Sequence, residues 1–165
     1  MKQLILIRHA KSSWNSVFIE DRLRPLNARG KKNAPMMGEV LREKQIGFDR
    51  IFSSPAHRAW STAKKICKPL GFPKTDILRE ERLYGATVDT LYYLLGEVED
   101  SINRLAIVGH NPTLTEFVNR LLDNPIANMP TCGIVVANFG CDTWKDVSHH
   151  TYVSHEFWYP KLFQQ

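Results

Sequence analysis

Two arginines and two histidines are the residues of this sequence whose types and positions could together do chemistry. Arg8 and His9 directly follow one short apolar run, and His110 follows another. Arg58 lies one turn inside a predicted helix, where side chains lean back toward the helix start. If the apolar runs are strands of one sheet, all four side chains converge. Clustered donors of this kind suit a phosphate dianion, so we predict a phosphoryl-binding site.

The sequence lacks the patterns that would indicate thiol, nucleotide or metal chemistry. The three cysteines form no Cys-x5-Arg and no Cys-x-x-Cys motif, and Gly-x-Gly-x-x-Gly, Gly-x4-Gly-Lys-Ser/Thr and Gly-x-Ser-x-Gly are missing. If the segment that contains His149, His150 and His155 is a strand, His149 and His155 share one face about 20 Å apart and His150 opposes them, so solvent-exposed histidines are favoured over metal ligands. We therefore expect neither a nucleophilic cysteine nor a metal centre.

The composition is that of one ordinary globular domain, which we take to span residues 1–165. Of the 165 residues, 43% are hydrophobic and 24% are charged, which excludes fibrous and disordered classes. The apolar run at 4–7 is too short for a signal peptide. The uncharged stretch 124–141 contains two prolines and three asparagines, which a membrane span would not tolerate. We expect a reduced, cytoplasmic protein without a membrane partner, and a monomer is favoured.

The net charge of +5 is unevenly distributed along the chain. Residues 1–82 carry 18 basic and 8 acidic side chains, whereas residues 83–165 carry 4 and 9. A basic half could attract an anionic ligand, and nucleic acid is one candidate. However, its lysine clusters lie on predicted helices whose apolar faces point elsewhere, which is typical of a solvated surface. We therefore expect no nucleic-acid partner.

Strands alternate with helices along the chain, which predicts a three-layer α/β/α sandwich around a mainly parallel sheet. The predicted strands are 3–8, 48–53, 76–79, 105–109, 134–139 and 152–158. The predicted helices are 27–44, 54–70, 88–98 and 111–122, with Asn27 and Ser54 as N-caps. The last two strands flank a turn and would form an antiparallel edge. Ligands of such sheets bind beyond the carboxyl ends of the strands.

Four segments in order resemble the histidine phosphatase superfamily, which includes the phosphoglycerate mutases, and in particular its small SixA-type branch of protein-phosphohistidine phosphatases. The family's Arg-His-Gly motif appears here with alanine in third place. The segments are Arg8-His9-Ala10-Lys11-Ser12-Ser13-Trp14-Asn15, Arg24-Pro25-Leu26-Asn27-Ala28-Arg29-Gly30, Ser53-Ser54-Pro55-Ala56-His57-Arg58 and Val108-Gly109-His110-Asn111-Pro112. The resemblance extends from Met1 to about Leu122 and implies a phosphoglycerate mutase-like fold.

The resemblance implies that His9 is a nucleophile that accepts the phosphoryl group, while Arg8, Arg58 and His110 bind its oxygens. It implies no metal and no other cofactor. For His9 to attack through one ring nitrogen, the other nitrogen should donate to a carbonyl or carboxylate. The sequence does not identify that acceptor.

Two further positions match residues that bind phosphate or substrate in mutase-like relatives, namely Ser12 and Asn15. Both side chains could equally hold the loop in a turn.

A general acid would have to come from Glu81 or its neighbour Glu80, the carboxylates that correspond to the acid of phosphomonoesterases. The alternative is that Glu81 forms an exposed ion pair. Acid assistance matters less if the substrate is phosphohistidine, because imidazole is a far less basic leaving group than an alkoxide.

We expect a metal-independent phosphatase that acts on phosphohistidine carried by a protein. Only 44 residues separate His9 from Ser54, which leaves no room for a capping domain and favours an open cleft. The first alternative is a phosphatase for a small phosphoester, with the same nucleophile and Glu81 as acid. A mutase is less favoured because it must enclose its substrate from water. The second alternative is a phosphate-binding module without turnover.

Overall fold

The computed structural model describes residues 1–15 and 18–164, and in these ranges six strands and four helices form the predicted layers. The strands are β1 (Lys2–Arg8), β2 (Arg50–Ser53), β3 (Leu78–Arg79), β4 (Arg104–Gly109), β5 (Ile134–Phe139) and β6 (Tyr152–Trp158). The helices are α1 (Ala28–Glu43), α2 (His57–Cys67), α3 (Val88–Glu97) and α4 (Thr113–Leu121). No helix within the described ranges is both long and apolar enough to cross a membrane.

The six strands form a single mixed sheet in the order β3-β2-β4-β1-β5-β6. The first four strands in this order are parallel to one another, and β5 and β6 are antiparallel to their neighbours. This arrangement confirms the predicted α/β/α sandwich with an antiparallel edge.

Strand β1 has no polar interruption because both faces of the sheet are covered. Leu4 and Leu6 belong to the core cluster that includes α3 and α4 residues, whereas Ile5 and Ile7 belong to the cluster on the α1 and α2 side. All four side chains are at most 1% exposed. Alternate residues of one short strand therefore fill two separate cores.

Strand register places the two histidines side by side. Arg8 pairs with Gly109 across β1 and β4, so the next residues, His9 and His110, leave the sheet at the same edge. The backbone N–H of His9 continues the ladder and donates to Gly109 O over 3.1 Å. On the other side of β4, Ser54 donates its N–H to Val108 O over 3.0 Å.

Element ends coincide with the predicted ones or differ from them by up to three residues, and one difference affects the site. Helix α2 begins at His57 with Ala56 as its N-cap, so the prediction that Ser54 caps this helix is wrong. Ser54 instead prolongs the ladder of β2, as its bond to Val108 shows. Its hydroxyl oxygen accepts the Ala56 N–H over 3.2 Å, which still turns the chain toward α2.

The loop after His9 is held against the start of α1. Lys11 O accepts the Asn27 N–H over 3.0 Å, and a Cβ at Gly30 would stand only 2.2 Å from the same oxygen. Glycine is therefore required for this approach. The next residues pair with the segment before α1 through an isolated bridge between Ser12 and Leu26, which holds the segment after His9 close to the start of α1.

Candidate active site

A cavity of about 570 Å³ opens at the carboxyl edge of the parallel strands and is lined by all four predicted phosphoryl-site residues, Arg8, His9, Arg58 and His110. The imidazole rings of His9 and His110 lie 5.1 Å apart between centroids. His9 is 8% exposed and Arg58 is 6% exposed. Four residues from three separate parts of the chain therefore meet in one largely buried space.

The imidazole of His9 is oriented by its own neighbour. Its Nδ1 lies 2.8 Å from Ala10 O, and a carbonyl oxygen can only accept, so Nδ1 carries the proton and Nε2 keeps a lone pair. The Ala10 backbone is fixed in turn, because its N–H donates to Thr62 Oγ1 over 2.9 Å. The Thr62 hydroxyl donates to Arg58 O over 2.7 Å, which ties this loop to α2.

His9 is electrically neutral in the ordinary pH range. Burial, together with the nearby His110, Arg58 and Arg8, lowers its pKa to about 3, against the opposing effect of the hydrogen bond to Ala10. A neutral imidazole with a fixed Nδ1–H presents Nε2 as a nucleophile. The acceptor that the sequence did not identify is thus the Ala10 carbonyl.

Each of the two arginines offers an unused donor. Arg8 donates from Nη1 to Met129 O over 2.8 Å, and Arg58 donates from both Nη atoms to Asp21. The Nε atoms of Arg8 and Arg58 are buried and have no hydrogen-bond partner within the described residues. Because buried N–H groups are nearly always paired, two orphaned guanidinium donors in one cavity indicate an anionic ligand.

Asp21 holds Arg58 and a third arginine, Arg24, in place. Its carboxylate accepts from Arg58 Nη2 over 3.0 Å, from Arg24 Nε over 3.1 Å and from the Tyr84 hydroxyl over 2.6 Å. The Tyr84 hydrogen bond, followed by the two arginines, lowers the Asp21 pKa to about 2. Asp21 is therefore ionised, and it cannot donate a proton near neutral pH.

Trp14 covers one side of this network at the cavity mouth. The Arg24 guanidinium carbon lies 3.4 Å from the Trp14 ring centroid, and Arg24 is 7% exposed. Trp14 itself is 70% exposed and lines the cavity. The indole thus shields a cation at the mouth of the cavity.

His110 contacts a hydroxyl rather than a carbonyl. Its Nε2 lies 2.8 Å from Ser54 Oγ, and Ser54 is completely buried. Burial, together with the nearby Arg58, lowers the pKa of His110 to about 4, and Asp21 partly opposes this decrease. His110 is therefore neutral as well.

The remaining predicted site residues fall into two groups. Ser12 lines the cavity, where its Oγ accepts from Arg24 Nη1 over 2.9 Å. Asn15 is exposed and is not among the lining residues. Glu81 also lies outside the lining, with a 69% exposed side chain that pairs with Arg22 over 2.5 Å. Glu80 accepts from Arg82 over 2.9 Å.

Sequence reasoning missed four contributors, Asp21, Arg24, Tyr84 and Ser54 in its role beside His110. Arg24 and Ser54 stood in the quoted motifs, so the motifs signalled their importance but not their contacts. Asp21 and Tyr84 are brought together from 63 residues apart, and nothing local in the sequence predicts that pairing. Within 1–15 and 18–164, no group of three or more His, Cys, Asp or Glu residues is placed to hold a metal ion.

Fold and site together define an α/β enzyme of the phosphatase class, with paired imidazoles and guanidinium donors beyond a central parallel strand. The model of the histidine phosphatase superfamily (branch 1) matches residues 4–91, and the chain belongs to this family. An uncharacterized protein of Mycobacterium tuberculosis is 33% identical over 153 residues, which cover 86% of this chain and 91% of that protein.

Solved structures share the same fold over nearly the whole length. A structure from Agrobacterium tumefaciens with the provisional name phosphohistidine phosphatase SixA has a TM-score of 0.81 at 23% identity, covering 96% of this chain and 99% of that chain. The protein histidine phosphatase SixA complexed with tungstate has a TM-score of 0.78 at 18% identity, covering 98% and 99%. At these identities the likeness concerns the fold.

Proposed function

We propose that this protein hydrolyses phosphohistidine on a protein substrate through a covalent phosphohistidine at His9. The observation that carries the proposal is the fixed Nδ1–H of His9, held by Ala10 O, in a cavity with the orphaned Nε donors of Arg8 and Arg58. His9 Nε2 supplies the lone pair that attacks phosphorus, and the Arg8 and Arg58 guanidinium groups suit the phosphoryl oxygens. The fold shared with the SixA structures supports the choice of substrate class.

In the first step, His9 Nε2 attacks phosphorus and the bond from phosphorus to the substrate imidazole breaks. The electron pair of that bond goes to the leaving nitrogen, so the ring departs as neutral imidazole if its other nitrogen already carries a proton, and otherwise as imidazolate, which takes a proton from solvent. The Arg8 and Arg58 guanidinium groups balance the charge spread over the equatorial oxygens. In the second step, water attacks the phosphorus on His9, the P–Nε2 bond breaks, and phosphate leaves with the oxygen of that water.

The acid chemistry of the cavity favours a nitrogen leaving group over an alkoxide. Among the described lining residues, Asp21 is the only carboxylic acid, and its pKa of about 2 keeps it ionised. Glu81, the predicted acid, pairs with Arg22 outside the lining. An alkoxide departs slowly without a proton donor, whereas imidazole departs readily.

The test is a leaving-group series measured on one enzyme preparation. Phosphoramidate, free phosphohistidine, a histidine-phosphorylated protein, aryl phosphates of graded leaving-group pKa and an alkyl phosphate are compared by kcat/KM. We expect kcat/KM to decrease steeply as the leaving group becomes more basic, with the alkyl phosphate at least about 100-fold below phosphohistidine. A flat dependence would mean that a proton donor assists departure and would overturn the phosphohistidine assignment.

The covalent step is tested by trapping. Labelled substrate is quenched in alkaline detergent, where the P–N bond survives, and the modified residue is located by mass spectrometry. We expect label on His9 and none in the variant His9→Ala. Hydrolysis by His9→Ala at the wild-type rate would refute the covalent route.

A further inference from the structure

We propose that Ser54 is a positioning residue that fixes the protonation state of His110, so that His110 carries its proton on Nδ1 and offers that N–H to the cavity. The hydrogen bonds that support this assignment are those of the protein without a ligand. The effect of the assignment on catalysis rests on the function proposed above.

Two groups lie within hydrogen-bonding distance of Ser54 Oγ. This oxygen accepts the Ala56 N–H over 3.2 Å and lies 2.8 Å from His110 Nε2. It has no other hydrogen-bond partner among the described residues. Ser54 is completely buried, so its hydroxyl proton needs an acceptor inside the protein.

Only one of the two tautomers of neutral His110 satisfies every group. If Nε2 carried the proton and donated to Ser54 Oγ, the Ser54 hydroxyl would accept twice and its own proton would be buried without a partner. If Nε2 is the acceptor, the Ala56 N–H, the Ser54 O–H and the Nε2 lone pair are all paired. A buried unsatisfied donor costs about 1–3 kcal/mol, which is enough to favour the second tautomer strongly.

If Nε2 of His110 accepts from Ser54, the ring proton is on Nδ1. This nitrogen has no hydrogen-bond partner among residues 1–15 and 18–164. His110 lines the cavity, and its pKa of about 4 keeps it neutral. A neutral ring in the opposite tautomer would present a lone pair there, which would repel a phosphoryl oxygen. The Ser54 hydroxyl thus makes His110 a donor without giving it a charge.

The direct test is the tautomer of His110 in the unliganded wild-type protein. Long-range ¹H–¹⁵N correlation spectra at pH 7 distinguish the protonated ring nitrogen from the unprotonated one. We expect Nδ1–H for His110. Observation of Nε2–H would overturn the proposal, whether or not the protein hydrolyses phosphohistidine.

A pair of neighbouring serines provides the matched variants. Ser54→Ala removes the donor to His110, whereas Ser53→Ala removes an equally buried hydroxyl whose only hydrogen bond within the described residues is one of 3.0 Å to Ser54 O. We expect Ser54→Ala to lower kcat about 10-fold or more, up to the 10²–10³ of complete loss of such a donor, and to populate Nε2–H. Ser53→Ala should stay within about threefold and keep the wild-type tautomer.

Each outcome separates this proposal from the proposed function. An Nδ1–H tautomer in a protein that hydrolyses no phosphohistidine would support the role of Ser54 and refute the substrate assignment. Full activity in Ser54→Ala with an unchanged tautomer would refute the role of Ser54 and leave the function standing. If Ser54→Ala does not fold, the wild-type spectrum alone decides.

Discussion

The loops that follow β1 and β4 each place a histidine in the cavity, and the two histidines differ in the hydrogen-bond partner of the imidazole ring. The partner of His9 is the Ala10 carbonyl oxygen, which can only accept. The partner of His110 is the Ser54 hydroxyl, which on our assignment donates. Both rings are neutral, with pKa values lowered to about 3 and about 4 by burial. One ring thus presents a lone pair and the other an N–H.

A single hydrogen-bonded atom is enough to give different roles to two identical side chains whose ring centroids lie 5.1 Å apart. Charge state does not distinguish the two histidines, since neither imidazole is protonated near neutral pH, and residue type does not distinguish them either.

Replacing His9 or His110 by alanine should lower kcat by different factors. His9→Ala should lower kcat by on the order of 10⁴ or more because the nucleophile is lost, and His110→Ala by about 10²–10³ because one donor is lost. In rapid-quench experiments, His110→Ala should still accumulate label on His9. Equal losses together with no label in either variant would mean that the two rings act as one unit.

The neutrality of His9 predicts a pH dependence of stability. The unfolded chain binds a proton at this histidine near pH 6.5, whereas the folded state binds it near pH 3, so the free energy of unfolding falls as the pH is lowered through this window. Between pH 4 and 6 the unfolded state binds nearly one proton more than the folded state at His9. The free energy of unfolding therefore changes by about 1.4 kcal/mol per pH unit. Urea unfolding of wild type and His9→Gln should show this difference in slope. Parallel pH profiles would contradict a buried neutral His9.

Asp21→Asn should affect one ring more than the other. Asp21 opposes the lowering of the His110 pKa, and it is not among the main influences on the pKa of His9. We expect the NMR titration midpoint of His110 to move to lower pH by more than any shift of the His9 midpoint. Looser support of Arg58 and Arg24 should lower kcat/KM about 10-fold. Equal shifts at both rings would show that Asp21 acts on the site as a whole.

The smallest effect is expected from Glu81→Gln. The Glu81 carboxylate is exposed and paired with Arg22, and such pairs contribute little. Turnover of both phosphohistidine and an alkyl phosphate should change by less than about threefold. A loss of about 100-fold confined to the alkyl phosphate would instead make Glu81 the general acid and favour the small-phosphoester alternative.

The parts of the site that lie on regular strands could be predicted from sequence. The unbroken apolar runs of β1 and β4 identified buried parallel strands, and their shared edge brought His9 and His110 together. Arg58 followed from its position in the first turn of a helix. Strand and helix periodicity carries this information because both elements have fixed geometry.

The parts that depend on loops could not be predicted. Ser54 resembles a helix cap in sequence, because serine before proline favours that position, and only the strand register reveals that its hydroxyl meets His110. Asp21 begins one 3₁₀ segment and Tyr84 directly follows another, and the approach of these two segments is set by tertiary packing. Glu81 was chosen by analogy of position, and its side chain instead meets Arg22 in the structure.

The isolated bridge between Ser12 and Leu26 joins the segment after His9 to the segment before α1. Asp21 lies between the two bridged residues and accepts two hydrogen bonds from Arg58, whereas the Ala10 carbonyl that orients His9 lies outside them. A segment grafted between Ser12 and Leu26 would therefore leave the orientation of the nucleophile intact, but it would have to supply a new acceptor for Arg58. Selectivity for the carrier of the phosphoryl group can thus evolve in this segment only as far as the support of Arg58 is kept.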